Sequence, residues 1–193
     1  MAARDTFRTQ IRSAIRGLWS GVLDKAQFKS AMQATIDRSL RRAWNDGALE
    51  CGIKVTDLTD EEQDKLDAVV LEQFKYIASF GDDIADANKK SGAKVQPLFD
   101  RAEMWVNQYD NVRNLAKTTV CEDEKLEWIL GPTEEHCPDC SWYAGKVYRA
   151  SVWNKWGVRP QSRSLACHGY NCLCQLRKTD KPVTRGKPKG MTG

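Results

Sequence analysis

Five of the seven cysteines in this 193-residue chain fall between Cys137 and Cys174, and no other feature of the sequence narrows the fold as much. Cys137-Pro-Asp-Cys140 is a C-x2-C turn, a spacing that lets two thiolates close around one metal ion. A second group follows, Cys167-His168-Gly-Tyr-Asn-Cys172-Leu-Cys174, and together they hold more ligands than a four-coordinate ion needs. The cysteine count is odd, and the first turns carry Arg4, Arg8, Arg12 and Arg16 instead of an apolar leader. Metal ligation is therefore the expectation, ahead of a disulfide framework or buried free thiols. Thiolate-rich tetrahedral sites select zinc, and four protein ligands leave no position for a water nucleophile, so the expected zinc is structural.

Spacing does not fix which four residues bind. Cys137, Cys140, Cys167 and Cys172 form the first expected set, with His168 and Cys174 as rivals. In an extended Cys172-Leu-Cys174 the two side chains share a face, which makes that pair a serious competitor. A segment as short as residues 125–176 has a marginal apolar core, and a structural zinc contributes on the order of 10 kcal/mol to folding such a unit. Trp128, Trp142, Tyr143, Trp153 and Trp156 are expected to pack around the site as core, not to serve as base-stacking platforms.

Upstream, the apolar residues keep a helical period. Phe7, Ile11, Ile15 and Leu18 mark a first helix that breaks near Gly17–Gly21, and Asp24 can cap a second that carries Phe28, Met32, Ile36, Leu40 and Trp44 until Gly47 and Gly52 end it. Thr59 and Glu62 make a capping box for a third helix with Leu66, Val69, Val70, Phe74 and Ile77 on its apolar face. Beyond Ser91–Gly92 a fourth runs from Pro97 through Trp105, Tyr109 and Val112 to about Val120. The texture then changes: Leu126, Trp128 and Leu130 alternate as in a strand, with further short strands expected at Lys146–Tyr148 and Leu173–Leu176. Residues 177–193 hold six basic residues against one acidic and almost nothing apolar, which predicts a flexible tail.

The expected fold is thus mainly α: a helical domain over residues 1–120, a small zinc-stabilised α+β module over 121–176 and a disordered basic tail over 177–193. No run of about eighteen apolar residues occurs, so no membrane anchor is expected and the chain should be soluble.

Trp128-Ile-Leu-Gly-Pro-Thr-Glu-Glu-His-Cys137-Pro-Asp-Cys140, then Ala144-Gly145-Lys-Val-Tyr148, Trp153, Gly157, Pro160 and the close from Cys167 to Leu176 resemble the C-terminal motif of the Mu F-type minor head proteins of tailed bacteriophages. The likeness covers roughly residues 125–176, and residues 1–120 only in general helical character. Where that family commonly ends His-Pro-Asn-Cys-Arg-Cys, this chain has Cys167-His168 ahead of Asn171-Cys172-Leu-Cys174. The resemblance implies a virion protein made in the host cytoplasm, a minor component of the phage head that associates with portal or capsid proteins and with packaged DNA and acts in head morphogenesis or DNA delivery.

Charge is uneven although the net value is only +4. Arg4, Arg8, Arg12 and Arg16 line one edge of the first helix, and Arg177, Lys178, Lys181, Arg185, Lys187 and Lys189 populate the tail. Both are candidates for contact with DNA phosphates or an acidic partner, without base-reading chemistry. A nucleic-acid-binding zinc module is the alternative function. Catalysis is not expected: the histidines are His136 and His168, no phosphate loop occurs, and Glu135 is the one carboxylate placed to serve a zinc hydrolase.

Overall fold

The computed structural model describes residues 3–121, 123–170 and 172–188. Among them run seven α-helices and three strands: α1 (Ala3–Ser20), α2 (Lys25–Leu49), α3 (Asp60–Phe74), α4 (Ile77–Asp86), α5 (Gln96–Val120), β1 (Lys125–Ile129), α6 (Pro138–Tyr143), β2 (Val147–Arg149), α7 (Ala150–Lys155) and β3 (Gln175–Lys178). The architecture is mainly α with one small antiparallel sheet, as the sequence pattern predicts. No described helix is long and apolar enough to cross a membrane.

Two compact units emerge, Met1–Arg41 with Lys65–Val106 and Arg42–Asp64 with Asn107–Gly193. The division expected near residue 121 is therefore displaced. The physical reason is that residues 42–64 and 107–120 are bound to the cysteine-bearing segment by a disulfide and by buried polar bonds, described below.

In the first unit α1 buries Phe7, Ile11, Ile15 and Leu18, and α2 buries Phe28, Met32, Ile36 and Leu40, which is the one-face spacing of an amphipathic helix. Gly21, at φ +77°, turns the chain out of α1. Asp24 and Gln27 then cap α2 reciprocally: the Gln27 N–H donates to Asp24 Oδ1 at 2.7 Å, and the Asp24 N–H to Gln27 Oε1 at 3.0 Å. The single third helix expected from the apolar stripe is two, α3 and α4, separated at Lys75–Tyr76. Of the expected stripe Leu66, Val70 and Ile77 are buried and Val69 and Phe74 partly so, while Phe80 and Ile84 extend the buried face along α4. Phe80 lies 6.3 Å from Phe28 and 5.2 Å from Trp105 by ring centroids, within the range of favourable aromatic pairing.

The second unit begins inside α2. Gly47 does not end the helix as expected, because α2 continues to Leu49. Its missing side chain serves close packing: a Cβ there would run into the Arg113 carbonyl oxygen on α5. Gly52, at φ +82°, makes the turn after the helix. The Thr59–Glu62 capping box forms as expected, with reciprocal bonds of 2.8 and 3.3 Å. Cys51 and Cys121, two isolated cysteines in the sequence, are joined by a disulfide with a Cα–Cα distance of 5.8 Å.

The sheet has the order β2-β1-β3, with Leu126 opposite Tyr148 on one side and Trp128 opposite Leu176 on the other. β3 starts two residues later than Leu173, since the Cys172 and Cys174 carbonyls are already engaged by a side chain, Gln161, and are not free for the ladder. Both edges are covered. Leu176 meets side chains of α5, its N–H donating to Asn114 Oδ1 and its carbonyl accepting from Lys117 Nζ. Val147 exchanges bonds with the Thr184 backbone N–H and hydroxyl at 2.8 and 2.9 Å.

Those Thr184 bonds also correct the expected tail. Residues 177–178 belong to β3, the Thr179 N–H reaches the Lys125 carbonyl, and Lys181 pairs with Glu127 at 2.6 Å. As far as Thr184 the segment is tied to the sheet by backbone bonds, which need no apolar side chains; residues 189–193 lie outside the described residues.

Candidate metal centre

The first cysteine pair is set by a helix start. Cys137 sits at the N-cap of α6 with extended backbone, Pro138 occupies the first turn, and the Cys137 sulfur accepts the Cys140 N–H at 3.3 Å. This geometry turns the Cys137 and Cys140 sulfurs to the same side. The second group arrives through a series of turns over residues 160–170, in which Gly169, at φ +78°, is packed so closely on Gln161 that a Cβ would strike the Gln161 carbonyl. Gly131 performs the same service after β1: a Cβ there would stand 2.5 Å from the Leu173 carbonyl carbon. A side chain at Gly131 would push the Cys172–Cys174 segment away, and one at Gly169 would press on the Gln161 backbone.

All five expected cysteines converge. Cys137, Cys140 and Cys167 form one triad of sulfurs and Cys140, Cys172 and Cys174 another, with the sulfurs of each triad within 4.8 Å of one another. Cys140 belongs to both, and its sulfur is 3.7 Å from that of Cys172. Two thiolates on a tetrahedral ion with Zn–S bonds of ~2.3 Å lie about 3.8 Å apart, so this spacing suits ligands of one ion. The donor set is wholly sulfur and largely buried, the chemistry of a soft or borderline cation, and the cluster can hold a metal ion. His168 is outside both triads: exposed, at φ +48°, with Nδ1 3.0 Å from the Arg163 carbonyl. A cleft of about 660 Å³ opens over the sulfurs and is lined also by Thr133, Glu134, Glu135 and His136.

Electrostatics of the bare cluster match that reading. Hydrogen bonding to Cys172 and Cys174, with burial, drives the Cys140 thiol far above its ordinary range, and burial pushes Cys167 up to about 12. Cys174, accepting from Cys140 and Cys172, is held down to about 3. Without a cation the cluster accommodates one thiolate at the expense of its neighbours; several thiolates together need a positive charge among them.

Around the sulfurs stands a shell that spacing rules do not reveal. Gln161, 4% exposed, donates through Nε2 to the Cys172 carbonyl at 2.9 Å and to the Cys174 carbonyl at 2.6 Å. Its Oε1 accepts from Asn114 Nδ2 at 2.7 Å. Lys117, 1% exposed, bridges the Leu176 carbonyl at 2.7 Å and Glu50 at 2.6 Å, and burial lowers its pKa against the opposing pull of Glu50. Nothing in the sequence marks Gln161. The Cys51–Cys121 disulfide did leave a trace, because two cysteines remain once five are assigned to a cluster.

Of the aromatics, Trp128, Tyr143 and Trp153 are buried core, with ring centroids 5.0 to 5.8 Å apart. Trp142 and Trp156 depart from expectation: each is 39% exposed and lies under a lysine ammonium, Lys146 at 5.1 Å and Lys187 at 5.9 Å. The basic residues are largely engaged within the chain. Arg8 and Arg12 share Glu103 at 3.0 and 2.9 Å, and Arg12 and Arg16 lie over the Phe99 ring, while Arg4 shares their helix. Lys178 pairs with Glu124 and Lys181 with Glu127, Arg177 and Arg185 are exposed, and Lys189 lies outside the described residues. No family model, curated protein or solved structure matches the chain significantly.

Proposed function

We propose that the chain is a structural minor head protein of a tailed bacteriophage, of the Mu F type, whose cysteine-bearing module folds around one structural zinc. The observation that supports the zinc reading is the convergence of Cys137 and Cys140 with Cys167, Cys172 and Cys174 from a distant part of the sequence. A bound zinc supplies the positive charge and tetrahedral geometry that let neighbouring thiolates coexist. The chain's own residues do the rest: α6 presents the first pair, the 160–170 turns bring in Cys167, and Gln161 fixes the Cys172–Cys174 arm. The phage assignment draws on the residues shared with the head-protein motif, which include these same cysteines.

In this reading the helices meet portal or capsid partners, and exposed Arg177 and Arg185 give sequence-independent contact with DNA phosphates that weakens with salt. Glu134, Glu135 and His136 line the cleft, and this reading assigns them no catalytic role. The decisive experiment joins metal analysis of the purified chain to proteomics of purified phage heads from an expressing host. About one zinc per chain and recovery with heads is expected. Absence from heads, with tight binding of free DNA at physiological salt, would favour the nucleic-acid module instead. A hydrolytic activity abolished by Glu135→Gln with zinc retained would overturn the structural role.

A further inference from the structure

We infer that Gln161 is the positioning residue of the metal centre and that, through Asn114, it makes metal occupancy felt in residues 107–120 of α5. The inference rests on the proposed metal centre and goes beyond it, because neither residue is a ligand. Gln161 holds a left-handed backbone, φ +62°, a conformation that is unfavourable for a non-glycine residue and persists where the surroundings over-determine it. Both Nε2 hydrogens go to the carbonyls of Cys172 and Cys174, and Oε1 takes the Asn114 amide.

The geometry explains what these bonds do. Cys172 and Cys174 are two apart, so a donor that gathers both their carbonyls on one side leaves both sulfurs free to face Cys140. The same Nε2 stands 3.9 Å from the Cys172 sulfur, close enough to reinforce a thiolate there. Asn114 then carries the arrangement onward, since its Oδ1 accepts the Leu176 N–H at 2.9 Å while its Nδ2 holds Gln161. Ligand-bearing backbone, sheet edge and helix are thereby joined by one buried chain of bonds. Groups that orient metal ligands in this way typically change metal affinity 10- to 100-fold when removed.

The test uses the full chain loaded with Co2+, whose d–d absorption reports the geometry of thiolate ligands, and zinc competition for affinity. Gln161→Glu keeps the size and the acceptor for Asn114 but cannot donate to the two carbonyls. It should bind Co2+ roughly 10- to 100-fold more weakly, with an altered d–d envelope and slower-exchanging amides in residues 107–120 no longer gained on metal addition. Asn114→Asp should shift both readouts in the same direction by less. Gln161→Gly, which relieves the left-handed backbone, separates strain from the amide: it should fold, show native helicity and bind as weakly as Gln161→Glu. Wild-type affinity and spectrum in Gln161→Glu, or in Gln161→Gly should the first fail to fold, would overturn the inference while leaving the metal centre standing. A wild-type chain that takes up neither Co2+ nor zinc would remove the metal centre and this inference with it.

Discussion

Phe28, Phe80 and Trp105 hold their part of the first unit by the faces and edges of rings, whereas the second unit, beside rings of its own in Trp128, Tyr143 and Trp153, is held around Cys140, Gln161 and Lys117 by individual polar atoms aimed at particular partners. Ring packing is spread over many contacts of small energy each, so it tolerates small displacements and has no chemical off-switch. A centre built from thiols and buried polar bonds is the reverse. It concentrates stability in a few groups whose protonation, ligation or donor count decides everything, because each orphaned group then carries its full desolvation cost. The two units should therefore fail under different insults.

On the proposed zinc site, the largest expected effect follows from removing the metal or substituting the shared thiol, Cys140→Ser. Losing on the order of 10 kcal/mol of ligation energy, the segment from residue 125 to 188 should exchange its amides freely, and residues 107–120 should loosen with it, because Asn114 and Lys117 lose their partners on Leu176. Hydrogen exchange of the chelated and substituted proteins checks this; the amides of residues 7–18 and 25–41 should stay protected. The complementary insult is Phe80→Ala, which empties a ring-sized volume between Phe28 and Trp105 and should cost about 3–5 kcal/mol. Denaturant unfolding should show the first unit weakened, with the proposed metal still bound to the second.

How much of this the sequence revealed also divides along that line. Phe7 to Leu18 and Phe28 to Leu40 could be placed inside because burying a face imposes a period on the helix, and a period is visible in one dimension. The five cysteines could be grouped because ligands come in recognisable spacings. Gln161, Asn114 and Lys117 left no such trace. A polar side chain that satisfies another segment's backbone has no spacing rule, as its partner lies wherever the turns deliver it. The tail was misread for a related reason: scarcity of apolar residues argues against a core, but Thr179, Lys181 and Thr184 are ordered by bonds to β1 and β2. Gly47 shows the same limit in reverse, a residue that ends helices by habit and here permits two to approach.

A smaller effect tests whether the polar half responds to pH as single-atom bonding implies. Tyr109 donates to Asp46 at 2.6 Å, and burial, followed by that bond, raises its phenol well above the ordinary 10.0. The folded state thus keeps a proton that the unfolded chain gives up first. Stability from this group is complete below pH 10 and declines as the pH climbs above it. Tyr109→Phe should cost about 1.5–3 kcal/mol near neutrality, where Asp46 loses its donor, and its stability should fall less steeply above pH 10 than that of the wild type. Urea midpoints measured between pH 7 and pH 11 give both numbers, and parallel slopes in the two proteins would sink the assignment.

The smallest effect belongs to the first unit and asks whether any single polar contact there matters as those of the second do. Asp24 is the best candidate, since it starts α2 with a reciprocal bond to Gln27 and is exposed, so no buried group is orphaned by its removal. Water can take over the freed Gln27 N–H, and the apolar face from Phe28 to Leu40 continues to hold the helix. Asp24→Ala should accordingly cost only about 1 kcal/mol, visible as a small shift in the urea midpoint with unchanged slope and unchanged metal content. A loss several times larger would mean that the ring-packed unit also depends on single bonds, and the contrast between the two ways of holding a chain together would not survive it.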